Sequence, residues 1–139
     1  MGTGVVIKDH NGDCVAACCN SFSNVIIPEL AEAMAVRFAL SFAQDEGLDN
    51  LILASDCLSV VQSAKASTRD RPLCGPVLED IKSLMASFNS CSIRHVYRGQ
   101  NVAAHCLARS SDDSSLSIWR GVSPVFRIQF VLTLCLDDE

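Results

Sequence analysis

The sequence is poor in basic residues. Lys and Arg number 11 against 16 Asp and Glu, which sets the net charge at -5, and charged residues are only 19% of the chain. Broad, sequence-independent attraction to nucleic acid needs a basic surface, so this composition excludes it and leaves room only for a small local patch. The start, "MGTGVVIKDHNG", has no basic n-region and no long apolar segment, so no secretory signal peptide is read there. "MGTGVV" also lacks the Ser or Thr that a myristoylation signal wants at its sixth position. The longest strongly apolar run, "VFRIQFVLTLCL" at 125–136, is interrupted by Arg127 and Gln129 and is too short to span a bilayer. No internal repeat recurs. No contact with a membrane is expected. The expected location is intracellular rather than secreted, with nucleus or cytoplasm undetermined. The 8 cysteines include "CVAACC" but no CxxC pair at zinc spacing. In a reducing compartment they read as small buried hydrophobes.

What is present is a core. Hydrophobic residues make up 49% of 139 residues, enough for one compact domain and too many for disorder. "GVVIKDHNGDCVAACCNSF" reads as a hairpin, with apolar runs flanking Asn11-Gly12. "PELAEAMAVRFALSFAQDEG" reads as a helix that Pro28 opens and Gly47 stops. "NLILASD" is a short apolar strand and "CLSVVQSAKAS" is helix-like. "TRDRPLCGP" is a loop, and "VLEDIKSLMASF" is an amphipathic helix with apolar residues at 77, 78, 81, 84, 85 and 88. "SIRHVYR" is a strand and "NVAAHCLARS" a helix. "SDDSS" is a polar linker, and "SPVFRIQFVLTLCLDDE" is expected to be a last helix. The order β-β-α-β-α-α-β-α, with a tail, predicts an α/β chain: a mixed sheet with helices on its faces. The expected division is a domain over 1–111 and a tail over 112–139 carrying a short helix.

Two carboxylates stand in odd places. At about 100° per residue, Arg37, Ser41, Gln44 and Asp45 share an arc of the first helix that is expected to face water. Glu32 lies opposite, beside Ala35, Val36, Ala39 and Ala43, where an unpaired carboxylate is costly. The plainer reading is a first-turn charge favoured by the helix dipole, as for Glu29. Asp56 follows an apolar strand and precedes a helix, at the kind of strand end where open α/β sheets place functional groups. There the plainer reading is that Ser55 or Asp56 is an N-cap. Two carboxylates meeting at one sheet edge point to a Mg²⁺-type site of oxygen ligands, the setting for two-metal phosphodiester hydrolysis.

The ordered set "GVVIKDHNGD", "AEAMAVRFALSFA", "LILASDCLSVV" and "HVYRGQNVAAHCLARSS", over about residues 4–111, resembles the ribonuclease H-like superfamily, in particular its plant reverse-transcriptase-like, retroelement-derived branch. The tail "WRGVSPVF" is similar to that branch as well. The resemblance implies a five-stranded mixed sheet flanked by helices. It also implies cleavage of the RNA strand of RNA–DNA hybrids by four carboxylates holding two Mg²⁺, or Mn²⁺. It places the family's helix glutamate on Glu32 and its strand-end aspartate on Asp56, both as catalytic and metal-holding positions. The family's first aspartate lies on a strand before the hairpin. Here only Met1, Gly2 and Thr3 precede Gly4, so that strand and carboxylate are expected to be absent. In the family's topology that strand is central, between the hairpin and "LILASD". Without it the hairpin edge carries unpaired backbone groups, so the chain is expected to fold poorly or to pair that edge with something else. A shortened gene model explains the gap more simply than a deliberately shortened protein.

The family's last aspartate falls four residues after Asn101, on His105. A neutral imidazole there is a candidate metal ligand or proton carrier, a helix residue with no role, or a mark of decay. Arg94, His95 and Arg98, with Arg109 beside them, form the one local basic cluster. Arg94, Arg98 and Asn101 are the expected nucleic-acid contacts, reaching phosphates across a hybrid's minor groove; the plainer reading is solvated charge. The expected function is an RNase H-type domain that binds nucleic acid, with ancestral Mg²⁺-dependent hydrolysis of RNA in hybrids. The alternative is a catalytically inactive nucleic-acid- or protein-binding module derived from a retroelement, and a fossil with no selected role is a third reading. Activity of this chain is in doubt with two of four carboxylates visible. No small-molecule cofactor is expected, and the expected state is a monomer.

Overall fold

A computed structural model describes residues 2–8, 14–21, 27–66, 75–97, 117–120 and 129–136. In chain order the elements are β1 (Gly2–Lys8), β2 (Cys14–Ser21), α1 (Pro28–Asp45), β3 (Asn50–Ser55), α2 (Leu58–Lys65), α3 (Gly75–Ser87), β4 (Ser90–His95), β5 (Ser117–Arg120) and β6 (Gln129–Leu136). The expected hairpin is β1 and β2, paired antiparallel from Gly2↔Ser21 to Lys8↔Cys14, with a register shift at Ile7/Lys8. The parallel pair β3–β4 runs from Asn50↔Ser90 to Ser55↔His95, and α2 and α3 cross between its strands. The expected mixed α/β class is what forms. The expected helix over 101–110 lies outside the described residues.

The tail differs from expectation. Residues 129–136 form a strand instead of a last helix. The sheet order is β4-β3-β6-β1-β2-β5, so β6 is inserted between β3 and the hairpin. It pairs antiparallel with β1, from Gly2↔Leu136 to Lys8↔Phe130. It pairs parallel with β3, from Leu51↔Gln129 to Ser55↔Thr133. This is the slot the resemblance assigns to the family's first strand. The hairpin edge that needed a partner finds it in the chain's own residues 129–136. The physical reason is that "QFVLTLCL" carries no charge, and a strand flanked on both sides inside a covered sheet reads as a continuous apolar run. Such a run does not distinguish buried strand from buried helix by periodicity alone. β5, four residues long, closes the other side of the hairpin by pairing with β2. The short length suits an edge.

α1 lies on the sheet through small residues. Ala31, Ala33, Ala35, Val36, Ala39, Leu40 and Ala43 are fully buried, and most of them pack in the cluster that holds Val5, Ile7, Leu51, Leu53 and Ile81. Alanines let a helix axis approach closely, and they leave no room to add volume without strain. Pro28 takes the first turn of α1, where its missing N–H costs nothing. At the other end Gly47 adopts φ +77°, and the Leu48 N–H donates to Ala43 O at 3.2 Å. The arc expected to face water is instead half-covered by α3. The Arg37 guanidinium donates to Asp80 at 2.9 Å, and Gln44 Nε2 donates to Ser87 Oγ at 3.1 Å. Lys82 Nζ donates to Ala66 O at 2.8 Å and fastens α3 to the end of α2. Among the described residues no helix is long and apolar enough to cross a membrane.

Candidate nucleic-acid cleft

The carboxyl ends of the parallel strands β3 and β4 and the amino ends of α1 and α2 meet at one edge of the sheet. They enclose a cleft of about 490 Å³. α1 contributes Pro28, Glu29 and Glu32, and Asp56 follows β3. The start of α2 contributes Cys57, Leu58 and Ser59, and the end of β4 contributes His95 and Tyr97. Glu32 and Asp56, chosen from separate segments of sequence, line the same cleft, both half-buried. Two helix N-termini open onto it, and their dipoles favour negative charge there.

The backbone around Asp56 is tied down on both sides. Ser55 is fully buried. Its Oγ accepts a hydrogen bond from Cys57 N–H at 3.2 Å, and its carbonyl accepts one from Val96 N–H at 2.9 Å. The first of these folds the chain into a tight side-chain-to-backbone turn. The second clamps the exit of β4 against the exit of β3, so Asp56 and Tyr97 belong to one rigid unit. Neither Ser55 nor Asp56 occupies the N-cap position of α2. The helix begins at Leu58, with Cys57 in the N-cap position and no side-chain cap. The N-cap position expected for Ser55 or Asp56 is thus held by Cys57.

The expected site residues divide into three groups. Glu32 and Asp56 come together. Arg94 is exposed on the edge strand β4 and does not line the cleft. Arg98, Asn101 and His105 lie outside the described residues. The cleft also holds two side chains that sequence reasoning did not place there. The sequence groups His95 with the arginines as a local basic cluster and gives no role to Tyr97. His95 sits beside the carboxylates as the register partner of Ser55. Its ring meets Tyr97 edge to face, with centroids 5.4 Å apart and an interplanar angle of 79°. The signal available in sequence was the parallel pairing itself, because residues ending neighbouring parallel strands share one edge.

Among the described residues the donor set falls short of a two-metal centre. Among the described residues no three His, Cys, Asp or Glu side chains gather closely enough to hold a metal ion. In the slot of the family's first strand, Thr133 stands level with Ser55, and residues 129–136 contain no carboxylate. Mg²⁺ takes oxygen ligands in near-octahedral geometry, and two carboxylates supply fewer of them than the four that the resemblance implies for a two-metal site. Cys91, half-buried on β4, has its thiol pushed up to about 11 by burial.

A family model described as reverse transcriptase-like matches residues 2–111. Among solved structures, the chain is similar to RNase H1 from the halophilic archaeon Halobacterium salinarum NRC-1. That match has 28% identity and a TM-score of 0.71, and it covers 78% of this chain and 82% of that one. It is also similar in fold to the N-terminal RNase H domain of a Mycobacterium tuberculosis protein, solved as a fusion with maltose-binding protein. There the identity is 17% and the TM-score 0.55, over 77% of this chain and 88% of that one. No curated protein matches the chain.

Proposed function

This chain belongs to the reverse transcriptase-like family, as an RNase H-type domain, and from that premise we propose that it binds RNA–DNA hybrids through the Glu32/Asp56 cleft and the adjoining end of β4, without cleaving them unaided. The observation that carries this reading is the meeting of Glu32 and Asp56, from α1 and β3, in one cleft at the carboxyl end of the parallel strands. That position is where open α/β sheets receive ligands. Hydrolysis of nucleic acid is the family's activity, and it rests on a divalent metal, Mg²⁺ or Mn²⁺, held by several carboxylates. The resemblance implies that two of the family's four positions fall on Glu32 and Asp56. The strand in the third position carries Thr133 and its neighbours, and the fourth position falls on His105. Binding therefore outlasts cleavage in this reading. Arg94 supplies a phosphate contact from the edge strand, and Arg98 and Asn101 extend that contact along the chain that follows. A hybrid presents 2′-hydroxyls in a shallow minor groove, which lets a protein separate it from duplex DNA. The second reading, a hydrolase with His105 tolerated at the last ligand position, is favoured by the same pair of carboxylates.

The test is competition among duplexes of one sequence, read by fluorescence anisotropy at fixed salt. The expected order is hybrid bound more tightly than duplex DNA, with a shallow dependence of log K on log salt, because few cations are available to displace counterions. Equal affinity for hybrid and duplex DNA would count against hybrid recognition.

A further inference from the structure

Among the described residues, three large apolar side chains are exposed: Ile27 (39%), Leu58 (49%) and Tyr97 (74%). They are not scattered. Leu58 and Tyr97 line the carboxylate cleft, and Ile27 directly precedes Pro28, which lines it too. Exposed apolar groups gathered around a polar depression mark a binding surface. The cleft thus has an acidic interior and an apolar, partly aromatic mouth.

This combination selects its occupant. A phosphate is repelled by Glu29, Glu32 and Asp56. A nucleobase suits both parts, since its π-face stacks on an aromatic ring and its amino and ring N–H groups donate to carboxylates. The ring of Tyr97 is held for that role. The His95 ring contacts it edge to face, 5.4 Å between centroids, and the Val96 N–H, one residue before it, is bonded to Ser55 O. A stacking surface fixed in advance loses little entropy when a base settles on it.

We infer that Tyr97, braced by His95 in a cleft that Leu58 also lines, is a stacking platform for an unpaired nucleobase at the mouth of the cleft. The chain therefore prefers hybrids that carry a single-stranded extension or a displaced base over fully paired ones. This rests on the hybrid-binding reading above. A base inside a duplex keeps its face stacked on its neighbours, so only an unpaired one offers that face to Tyr97.

The experiment uses the full chain and two hybrids, one blunt and one with a short overhang containing 2-aminopurine, whose fluorescence falls on stacking. The expected result is about tenfold tighter binding of the overhang hybrid, within the range of one base–aromatic stack, with quenching of the probe. Tyr97→Ala should abolish both the preference and the quenching. Tyr97→Phe should keep both, because the ring and not the hydroxyl stacks. An undiminished preference and quenching in Tyr97→Ala overturns the platform while leaving hybrid binding standing. A chain that binds neither hybrid overturns the platform and the hybrid-binding reading together. Displacement of the overhang hybrid by an arginine-rich peptide in a Tyr97-dependent way, with no probe quenching, reassigns the mouth to a cationic protein partner and also overturns the proposal.

Discussion

Glu32 and Asp56 are carboxylates facing one small volume, with Glu29 beside them. Without a full metal site they repel the phosphates of whatever binds over the cleft. Replacing both by their amides, Glu32→Gln with Asp56→Asn, should therefore tighten binding of a blunt, fully paired hybrid in metal-free buffer by about two- to fivefold, an effect that shrinks as salt rises. Weaker binding of the blunt hybrid by the double variant would show that the carboxylates make favourable contacts with paired strands as well. Cys91 offers a second test at the residue scale. Its thiol is held neutral by burial up to about pH 11, against an ordinary value of 9.0. A group whose proton is held more tightly in the folded state contributes stability below pH 9. That contribution is lost as pH climbs toward 11. The urea midpoint should fall across that window, and should fall less in Cys91→Ala. Both carboxylates were legible in sequence because each breaks a pattern: Glu32 sits on an alanine-rich packed face, and Asp56 ends an apolar strand. Tyr97 was not legible, because an exposed aromatic just past a strand breaks no rule until the parallel neighbour brings Asp56 beside it.

At the scale of elements, β6 is the part on which the sheet depends most. It bridges β1 and β3, and nothing else joins the hairpin to the parallel half of the sheet among the described residues. A proline in its middle, Leu132→Pro, removes a donor from a strand paired on both sides and should cost about 3 kcal/mol or more. The same change on the edge strand, Ile118→Pro, should cost much less. Urea denaturation of the two variants checks this, and equal losses would show that β6 contributes no more than an edge. The hairpin, α1, α3 and the β3–β4 pair could be read from sequence because each has a clear period or a turn signal, such as Asn11-Gly12 or Gly47. β6 could not, since "QFVLTLCL" has no alternation and no internal turn residue. What identified it was a vacancy elsewhere: an edge of β1 with unsatisfied backbone groups, which any uncharged extended segment of the chain is able to fill. That inference requires the fold first, which is why a local reading of the tail gave a helix.

At the scale of the whole molecule, a strand arriving last in sequence occupies a place that the related fold gives to its first. The topology of the sheet is kept while the chemistry carried by that strand changes. Order of connection matters little to the hydrogen-bond ladder, but it decides which side chain stands level with Asp56, and here the register partner of Ser55 is Thr133. The acidic balance of the chain, -5 overall, fits a protein that recognises a particular shape and a few nucleotides in place of nucleic acid in bulk. The central claim is that recognition persists in this chain without cleavage, and one assay addresses it directly. An end-labelled RNA–DNA hybrid is incubated with the full chain and Mg²⁺ or Mn²⁺, and retained complex and cut RNA are measured in the same samples. The predicted result is a complex with intact RNA in both metals. Cleaved RNA that disappears in Glu32→Gln and in Asp56→Asn alike would contradict the claim and establish a working nuclease.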